Sequence, residues 1–536
     1  MRGTRRSSRS VPVVGGLIDG LSVCGVPSPP MNREADTNGA VLEKIVQRAR
    51  ERQIILPTFA QQKDPSTVPA AICDHLRRIG LWDVDPLNLF RITWKNEPTA
   101  VGGGFGEGNW IEFPPELTGV DARIIGIVGK WFPTGAHKVG AAYGCLAPRL
   151  ISGEFDPTTQ KAVWPSTGNY CRGGAYDCAL LGCAAVAILP EGMSRERFDW
   201  LREIGTDEII ATPGTESNVK EIYDACWDLR RQRGDGVVIF NQFEEFGNAI
   251  WHYQMTGSLI AGLFETRIRR EGSRLSGYVS ATGSAGTVAA GDFLRTRYPS
   301  IRVVAAEALQ CPTLYQFGFG EHRIEGIGDK HVPWIHNVRN TDMVAAIDDE
   351  QTMQLLRLFN EPEGRTALVH RGVDESVVQS LDQIGISGIC NLVAAIKTAR
   401  YYDMTTRDVL FTPLTDSAEL YGSRLEDMNK DCGPYSSTLA EVHSARYLDG
   451  ITTDHVRELS YADRKALHNF KYFTWVEQQG RSAEDLRRLW EPDFWDEMFA
   501  QEQVDEWDRQ IDEFNAATGV LRRMGQGGTD EVLTGQ

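Results

Sequence analysis

The chain has 536 residues, which is enough for several hydrophobic cores and predicts about three structural units. Hydrophobic residues make up 41% and charged residues 24%, values typical of globular proteins that exclude a wholly disordered chain. Because 73 acidic residues outnumber 56 basic ones, the net charge of -17 repels phosphate backbones and anionic lipids, so we expect no nucleic-acid partner.

The cysteine spacing and the hydropathy pattern restrict the cellular location. The ten cysteines include no CxxC pair and no spacing with histidine that is typical of a metal site. No run of about 18 consecutive apolar residues occurs, so the sequence predicts no transmembrane span. We therefore expect a cytoplasmic protein without a bound metal or a membrane partner.

The chain begins with arginines among serines, followed by a stretch rich in Gly and Pro that has no amphipathic pattern. We expect residues 1–38 to be disordered. Apolar residues then recur at helical spacing around residues 40–52 and again at 70–79. Residues 39–110 are therefore predicted to form an N-terminal helical segment.

Beyond Asp121, short β-branched or apolar runs alternate with amphipathic stretches of helix length. This alternation is typical of a parallel sheet with helices on both faces, so residues 111–425 are predicted to form an α/β catalytic domain. One helix is predicted at 194–205, where Gly205 is placed to end it. The predicted strands lie at 122–130, 183–190, 207–213, 236–240, 277–282, 301–307 and 407–414.

From Glu426 onward the chain is charged and carries several tryptophans. Residues 463–479 and 495–515 have the periodicity of amphipathic helices. Residues 426–536 are therefore predicted to form a helical C-terminal extension.

The segment PTGAHKVGAAYG (133–144) places Lys138 in the first turn of a helix, just after a strand and a tight turn. A lysine there lies at the edge of the sheet where doubly wound folds bind ligands. The positive end of the helix dipole favours its neutral, nucleophilic form. The alternative is a solvated surface lysine, the common role at such a position.

Two further segments follow strand ends. Ser166, Thr167, Gly168 and Asn169 offer hydroxyl, amide and backbone N–H groups that suit a carboxylate, although an ordinary N-capped turn has the same composition. The small residues of Gly283–Thr287 let backbone amides close around a phosphate before the next helix begins. This loop lacks the lysine of a Walker motif and the spacing of a dinucleotide-binding loop.

These segments, in this order, resemble the fold-type II pyridoxal-phosphate enzymes, especially the cysteine synthase and cystathionine β-synthase family. The resemblance covers about residues 120 to 425. It implies two twisted parallel-sheet subdomains, similar to the tryptophan synthase β-subunit, and pyridoxal 5′-phosphate as the cofactor. Other segments that carry it are NQFEEFGNAIWHYQMTG (241–257), IRVVAAEA (301–308), HRIEGIGDKHVP (322–333), GISGICNLVAA (385–395) and LTDSAELY (414–421).

The resemblance also implies a role for each candidate residue. Lys138 is the expected Schiff-base lysine and the group that moves the Cα proton. The expected cofactor-binding residues are Asn169 at the phenolic oxygen, Gly283, Ser284, Ala285, Gly286 and Thr287 at the phosphate, and Ser417 at the pyridine nitrogen. His137 is a further candidate for the phosphate, because T-G-A-H-K is similar to the tryptophan synthase β-subunit. The substrate-binding residues are expected to be Ser166, Thr167, Gly168 and Gln242. Arg172 departs from the family, which commonly has small residues there, and it is a candidate for contact with an acidic substrate side chain. A surface arginine in the first turn of a helix is the alternative.

The activity that the resemblance implies is β-replacement or β-elimination on a serine- or cysteine-type amino acid, through an aminoacrylate intermediate. A dehydratase-like deaminase or another amino-acid lyase is the alternative within the same fold. A cofactor-free scaffold protein is the alternative from another class, and a colourless purified protein would favour it. A homodimer is expected from the family resemblance alone.

Overall fold

Eleven strands form two separate sheets in the computed structural model, which describes residues 35–98, 101–215 and 217–526. The strands are β1 (Trp110–Phe113), β2 (Arg123–Val128), β3 (Lys161–Pro165), β4 (Ala184–Pro190), β5 (Glu208–Thr212), β6 (Val237–Ile239), β7 (Arg274–Ala281), β8 (Arg302–Ala308), β9 (Met343–Ile347), β10 (Asp408–Leu414) and β11 (Val456–Glu458).

Helices cover both sheets and make up most of the two ends of the described chain. They are α1 (Ala35–Glu51), α2 (Phe59–Lys63), α3 (Ala70–Leu76), α4 (Pro115–Thr118), α5 (Lys138–Ile151), α6 (Asn169–Leu181), α7 (Arg195–Glu203), α8 (Val219–Arg233), α9 (Phe246–Trp251), α10 (Ser258–Leu263), α11 (Ala289–Arg297), α12 (Thr313–Gln316), α13 (Asp349–Asn360), α14 (Pro362–His370), α15 (Glu375–Ser380), α16 (Ile386–Tyr401), α17 (Gly422–Cys432), α18 (Ser437–Ser444), α19 (Tyr461–Lys471), α20 (Ala483–Arg488), α21 (Pro492–Met498), α22 (Gln501–Thr518) and α23 (Val520–Gln526).

The larger sheet has the strand order β1-β2-β10-β7-β8-β9-β11, and the smaller one has the order β5-β4-β3-β6. The smaller sheet is parallel throughout, whereas β1 and β11 add antiparallel edges to the larger sheet. Strands β2 and β10 are buried along their whole length, because helices cover both faces of the sheet. The two-sheet α/β fold with a helical C-terminal region is therefore confirmed.

Each predicted strand run contains a strand of the structure, within a few residues at each end. The runs did not include β1, β3, β9 and β11, although a strand end was expected just before Ser166, where β3 ends. Both edge strands are short and only partly buried, so neither has the continuous apolar composition of the central strands. Helix α7 matches the prediction for residues 194–205, and Gly205 takes the left-handed conformation, with φ of 75°.

The C-terminal region differs from the prediction in two ways. The helix predicted at 495–515 is two helices, α21 and α22, which are separated at Phe499 and Ala500. The region also contributes a strand, β11, to the outer edge of the larger sheet, where it pairs with β9. The extension is thus mainly helical but not wholly so.

Trp475, just after α19, joins the C-terminal region to the catalytic body. Its side chain is fully buried, its indole N–H donates to the carbonyl of Val332 at 2.8 Å, and its ring lies against Trp334 and Tyr223. We expect Trp475→Ala to lower the free energy of unfolding by about 3–5 kcal/mol, because the cavity adds to the lost burial. Urea denaturation would measure this.

Phe473 provides the matched control for this prediction. It belongs to the same short π-helical segment, but its side chain is 54% exposed. Phe473→Ala should change the free energy of unfolding by less than about 1 kcal/mol. Equal losses of unfolding free energy from the two substitutions would show that Trp475 has no special role in packing the C-terminal region against the catalytic body.

At the N-terminal end, α1 begins at Ala35, so the helical segment starts slightly before its predicted first residue, 39. Residues 1–34, where disorder was predicted, lie outside the described residues. Arg50 in α1 donates to the carbonyl of Ala517 at 2.9 Å, which ties the N-terminal segment to α22. Within the described ranges, no helix is long and apolar enough to cross a membrane.

Candidate active site

Lys138 is the first residue of α5, which follows the buried strand β2 and a compact loop. In that loop Thr134 has φ of 70° although it carries a side chain, and its hydroxyl is fully buried. Such a conformation costs about 1 kcal/mol or more and persists only where the surroundings enforce it. The loop therefore fixes where the lysine side chain emerges.

The amine of Lys138 lies inside the protein, with 9% of the residue exposed. Its Nζ donates to the hydroxyl of Ser284 at 3.1 Å. Burial lowers the pKa of Lys138 to about 8, although the negative charge of Asp329 and the thiol of Cys145 act in the opposite direction. A large share of this lysine is thus neutral near pH 8, as a nucleophile or a base requires.

This pKa predicts how the lysine reacts with an added aldehyde. Below pH 8 the amine is mostly protonated, so the rate at which cofactor-free protein forms a Schiff base should rise with pH and level off above about 8. A solvated lysine would keep rising toward a pKa of about 10.4. Stopped-flow absorbance with pyridoxal phosphate would measure the profile, and a plateau near pH 10 would contradict the prediction.

The loop Ser166–Asn169 connects the end of β3 to the start of α6. Gly168 has φ of 156°, and a Cβ there would overlap the guanidinium group of Arg197, so the close approach requires glycine. The Ser166 hydroxyl accepts from the backbone N–H of Gly168 and from the amide of Gln242, each at 3.1 Å. The structure thus brings the predicted carboxylate-binding residues together, although they are far apart in the chain.

The loop Gly283–Thr287 lies between β7 and α11. Asn248 supports it from α9, since its amide donates to the hydroxyl of Ser284 at 2.9 Å and to the carbonyl of Gln242 at 3.0 Å. A Cβ on Gly286 would overlap the Asn248 amide. The loop therefore has the small residues and the helix start that a phosphate group requires.

These two loops and Lys138 face the same pocket. Most of the predicted site residues share its lining. Those that do are Lys138, Ser166, Thr167, Asn169, Gln242, Gly283, Ser284, Ala285 and Thr287.

The structure leaves two predicted residues away from the pocket. His137 turns toward the rings of Trp94 and His252, with centroid distances of 5.3 and 4.8 Å, and not toward the Gly283–Thr287 loop. Burial, followed by the charge of Lys138, lowers its pKa well below 6.5, so the ring is neutral. His137 therefore does not line the pocket, and the phosphate contact expected of it stays a prediction.

Arg172 is the second of these residues. Its guanidinium group lies over the rings of Trp82 and Trp200, at 5.7 and 4.6 Å from the centroids. Because the two rings cover it and only 1% of the residue is exposed, it does not reach the pocket. The expectation that Arg172 contacts an acidic substrate side chain is corrected accordingly.

Gly168, Gly286 and Ser417 lie beside the lining residues. Gly168 and Gly286 shape their loops through the close approaches described above. The Ser417 hydroxyl is fully buried, has no hydrogen-bond partner among the described residues, and follows Thr415, which lines the pocket. A buried hydroxyl of this kind is suited to a ring nitrogen of a bound ligand.

Several lining residues had no predicted role. Asp329, Tyr170 and Asn391 all line the pocket, and Asn248 supports it. Asp329 directly follows the Gly-Ile-Gly segment. A polar residue next to two glycines of a loop is the sequence pattern by which it could have been predicted as a site residue. Asn391 accepts from the backbone N–H of Ala281 and donates to the carbonyl of Pro413, which only the folded chain brings together.

Comparison with known proteins gives a consistent match. Residues 132–370 match the family described as "Pyridoxal-phosphate dependent enzyme". A cysteine synthase of Staphylococcus aureus is 29% identical over 255 residues, which are 47% of this chain and 79% of that protein. The cystathionine beta-synthase of Saccharomyces cerevisiae is 24% identical over 365 residues, covering 66% and 68%.

Solved structures share the fold. The crystal structure of O-acetyl serine sulfhydrylase isoform 3 from Entamoeba histolytica aligns with a TM-score of 0.50 and 19% identity, over 62% of this chain and 92% of that one. A crystal structure of a mutant O-ureido-L-serine synthase with O-ureido-L-serine bound aligns with a TM-score of 0.50 and 23% identity, over 63% and 94%. At these identities the likeness concerns the fold.

Proposed function

We propose that this chain, whose residues 132–370 match the pyridoxal-phosphate-dependent enzymes and which is similar to cysteine synthases, performs β-replacement on a serine-type amino acid. The observation that carries the proposal is the pocket itself. Its lining combines a buried amine of lowered pKa with one loop suited to a carboxylate, Ser166–Asn169, and one suited to a phosphate, Gly283–Thr287. Each group serves one part of such a reaction.

The described residues fit the cofactor. Lys138 supplies the amine for its aldehyde, Gly283–Thr287 the small-residue loop for its phosphate, and Ser417 a buried hydroxyl without a partner for its ring nitrogen. Pyridoxal phosphate, when bound, acts as an electron sink that makes the substrate Cα–H acidic and a β-substituent able to leave. A neutral hydroxyl at the ring nitrogen suits elimination chemistry, which needs a moderate sink.

The protein's own groups would then act on the substrate. The neutral Nζ of Lys138 accepts the proton from the substrate Cα, and its lowered pKa matches that task near pH 8. Ser166 and Gln242, which are hydrogen-bonded to each other at 3.1 Å, orient the substrate carboxylate. Burial of these groups excludes water and strengthens each interaction.

The charges of the pocket favour a donor whose β-substituent is uncharged while it is attached. Among the described lining residues, Lys138 is the one cationic side chain, and Asp329 adds a carboxylate. The dianionic phosphate of O-phosphoserine would enter this pocket with no lining arginine to bind it, since Arg172 is covered by tryptophans. We therefore propose O-acetylserine, serine or cysteine as the donor, in preference to O-phosphoserine.

An absorption spectrum tests the function. The purified protein should have a cofactor band near about 415 nm, which shifts when the correct donor amino acid is added. A saturating shift with O-acetylserine but not with O-phosphoserine supports the proposal. The same shift followed by release of ammonia without any thiol would instead identify a dehydratase-like lyase. A saturating shift with O-phosphoserine but not with O-acetylserine would overturn the proposed preference for an uncharged β-substituent.

The assembly and location are also part of the proposal. We propose a homodimer, for which the family resemblance is the support, and a cytoplasmic location. The location is supported by the described cysteines, of which Cys145, Cys171 and Cys390 are typical in being free and buried. Light scattering after size exclusion would measure a mass of twice 59.6 kDa for the dimer.

A further inference from the structure

A buried chain of hydrogen bonds starts from Asn169, which lines the pocket. The Asn169 amide Nδ2 donates to Asp416 Oδ2 at 2.6 Å, and the hydroxyl of Tyr421 donates to the same oxygen at 2.7 Å. Asp416 and Tyr421 are fully buried, and only 5% of Asn169 is exposed. Asp416 therefore receives two hydrogen bonds with no competition from water.

The chain continues and returns to the loop from which it starts. Arg197 in α7 donates to the Tyr421 hydroxyl at 3.2 Å and to the carbonyl of Thr167 at 2.6 Å. It also forms an ion pair with Glu325 at 3.3 Å. A closed ring thus runs from Asn169 through Asp416, Tyr421 and Arg197 to Thr167, two residues before Asn169.

Charges around the ring are matched. Burial raises the pKa of Asp416, whereas its hydrogen bonds to Asn169 and Tyr421 and the charges of Arg197 and Arg172 lower it. Glu325 pairs with Arg197 and also with Arg424, so each of the two carboxyl groups has guanidinium groups close to it. Ring members of this kind are held in one arrangement, because breaking a single buried bond leaves a charge uncompensated.

The ring determines which end of the Asn169 amide faces Asp416. An asparagine amide has a donor end and an acceptor end of nearly equal shape, and only its partners distinguish them. Asp416 Oδ2 accepts from the Tyr421 hydroxyl and from Asn169 Nδ2, so the nitrogen end of the amide points to Asp416. Asn169 Oδ1 is buried and has no partner among the described residues. Without Asp416, the two orientations of the amide would be close in energy.

We propose that Asp416 and Tyr421 are positioning residues, which hold the Asn169 amide in one orientation and so fix the hydrogen bond between this amide and the cofactor's phenolic oxygen. This inference rests on the proposed function, since the contact between Asn169 and that oxygen comes from the family resemblance. A change in the hydrogen bonding of that oxygen would change the absorption spectrum of the bound cofactor, which makes the spectrum a readout of the amide's orientation.

The test compares Asp416→Asn and Tyr421→Phe in the holoenzyme. We expect the ratio of the long-wavelength to the short-wavelength cofactor band to change about two- to tenfold in both, the effect of one hydrogen bond. Tyr143→Phe is the control, because its buried hydroxyl donates to the carbonyl of Pro57 at 2.6 Å, away from the ring. That control should leave the ratio unchanged.

A background without the amide separates positioning from a general structural role. In Asn169→Ala protein, Asp416→Asn and Tyr421→Phe should cause no further spectral change, because the group that they orient is gone. The same change in that background would overturn the inference, as would an unaltered ratio in both single variants. Should Asp416→Asn fail to fold, as circular dichroism would show, Tyr421→Phe decides the question.

The failure of the proposed function has a different signature. A wild-type protein that gains no long-wavelength band on addition of pyridoxal phosphate would overturn the proposed function, and this inference with it. A normal wild-type band that is insensitive to both substitutions would overturn this inference alone.

Discussion

Lys138→Ala should abolish both the cofactor band near about 415 nm and turnover of the amino-acid substrate. Turnover should fall by roughly 10²–10⁴-fold for the loss of the base alone, and further because the covalent attachment of the cofactor is lost. Absorbance and a product assay at saturating cofactor would measure both losses. The fold should survive, since the substitution removes a buried amine whose side-chain hydrogen bond is to the Ser284 hydroxyl, within the pocket.

Lys130→Ala is the matched control for that variant. Lys130 lies in the same connection between β2 and α5, but its amine forms ion pairs with Glu419 at 3.0 Å and Asp382 at 3.5 Å. Both acids are about half exposed, so the pairs contribute little to stability. Lys130→Ala should retain the band and most of the turnover, and an equal loss in both variants would contradict the assignment to Lys138.

Gly286→Ala should weaken cofactor binding by about ten- to a hundredfold. The added methyl would overlap the amide of Asn248, which is held by hydrogen bonds to Ser284 and Gln242 and is fully buried. Overpacking of this kind costs about 1–3 kcal/mol, and here the cost falls on the loop expected to hold the phosphate. Titration of cofactor-free protein with pyridoxal phosphate would measure the dissociation constant.

Gly262→Ala controls for the loss of a glycine. Gly262 lies in α10, where a Cβ would meet no atom within 4 Å. The substitution should leave cofactor binding unchanged and raise the free energy of unfolding by about 0.5–1 kcal/mol, because alanine favours the helix. If both glycine variants bind pyridoxal phosphate as tightly as the wild type, the loop at Gly286 does not hold the phosphate.

The pocket could be predicted from the sequence because its parts are local sequence patterns. Lys138 and Gly283–Thr287 follow the ends of β2 and β7 in the larger sheet, and Ser166–Asn169 follows the end of β3 in the smaller one. The ends of strands are where α/β folds bind ligands. The residues without a predicted role depend on the folded chain. Asp416 is bonded to Asn169, which is 247 residues away in sequence, so no local pattern joins them.

The positions of His137 and Arg172 also show what could not be predicted from the sequence. The sequence places each next to a site residue, but it does not tell which way a side chain turns. Packing decided both cases, since His137 fits against His252 and Arg172 fits between two tryptophan rings. Neighbouring positions in the chain were thus a poor guide to shared chemistry.

The strand that the C-terminal region adds to the larger sheet makes that region hard to remove. Strand β9 is buried along its whole length, and β11 pairs with its outer edge. A chain that ends before Val456 would expose the unpaired N–H and C=O groups of an apolar strand, which is a template for aggregation between molecules. Shortened forms should therefore precipitate as β-rich aggregates. The catalytic domain and its extension thus fold as one unit.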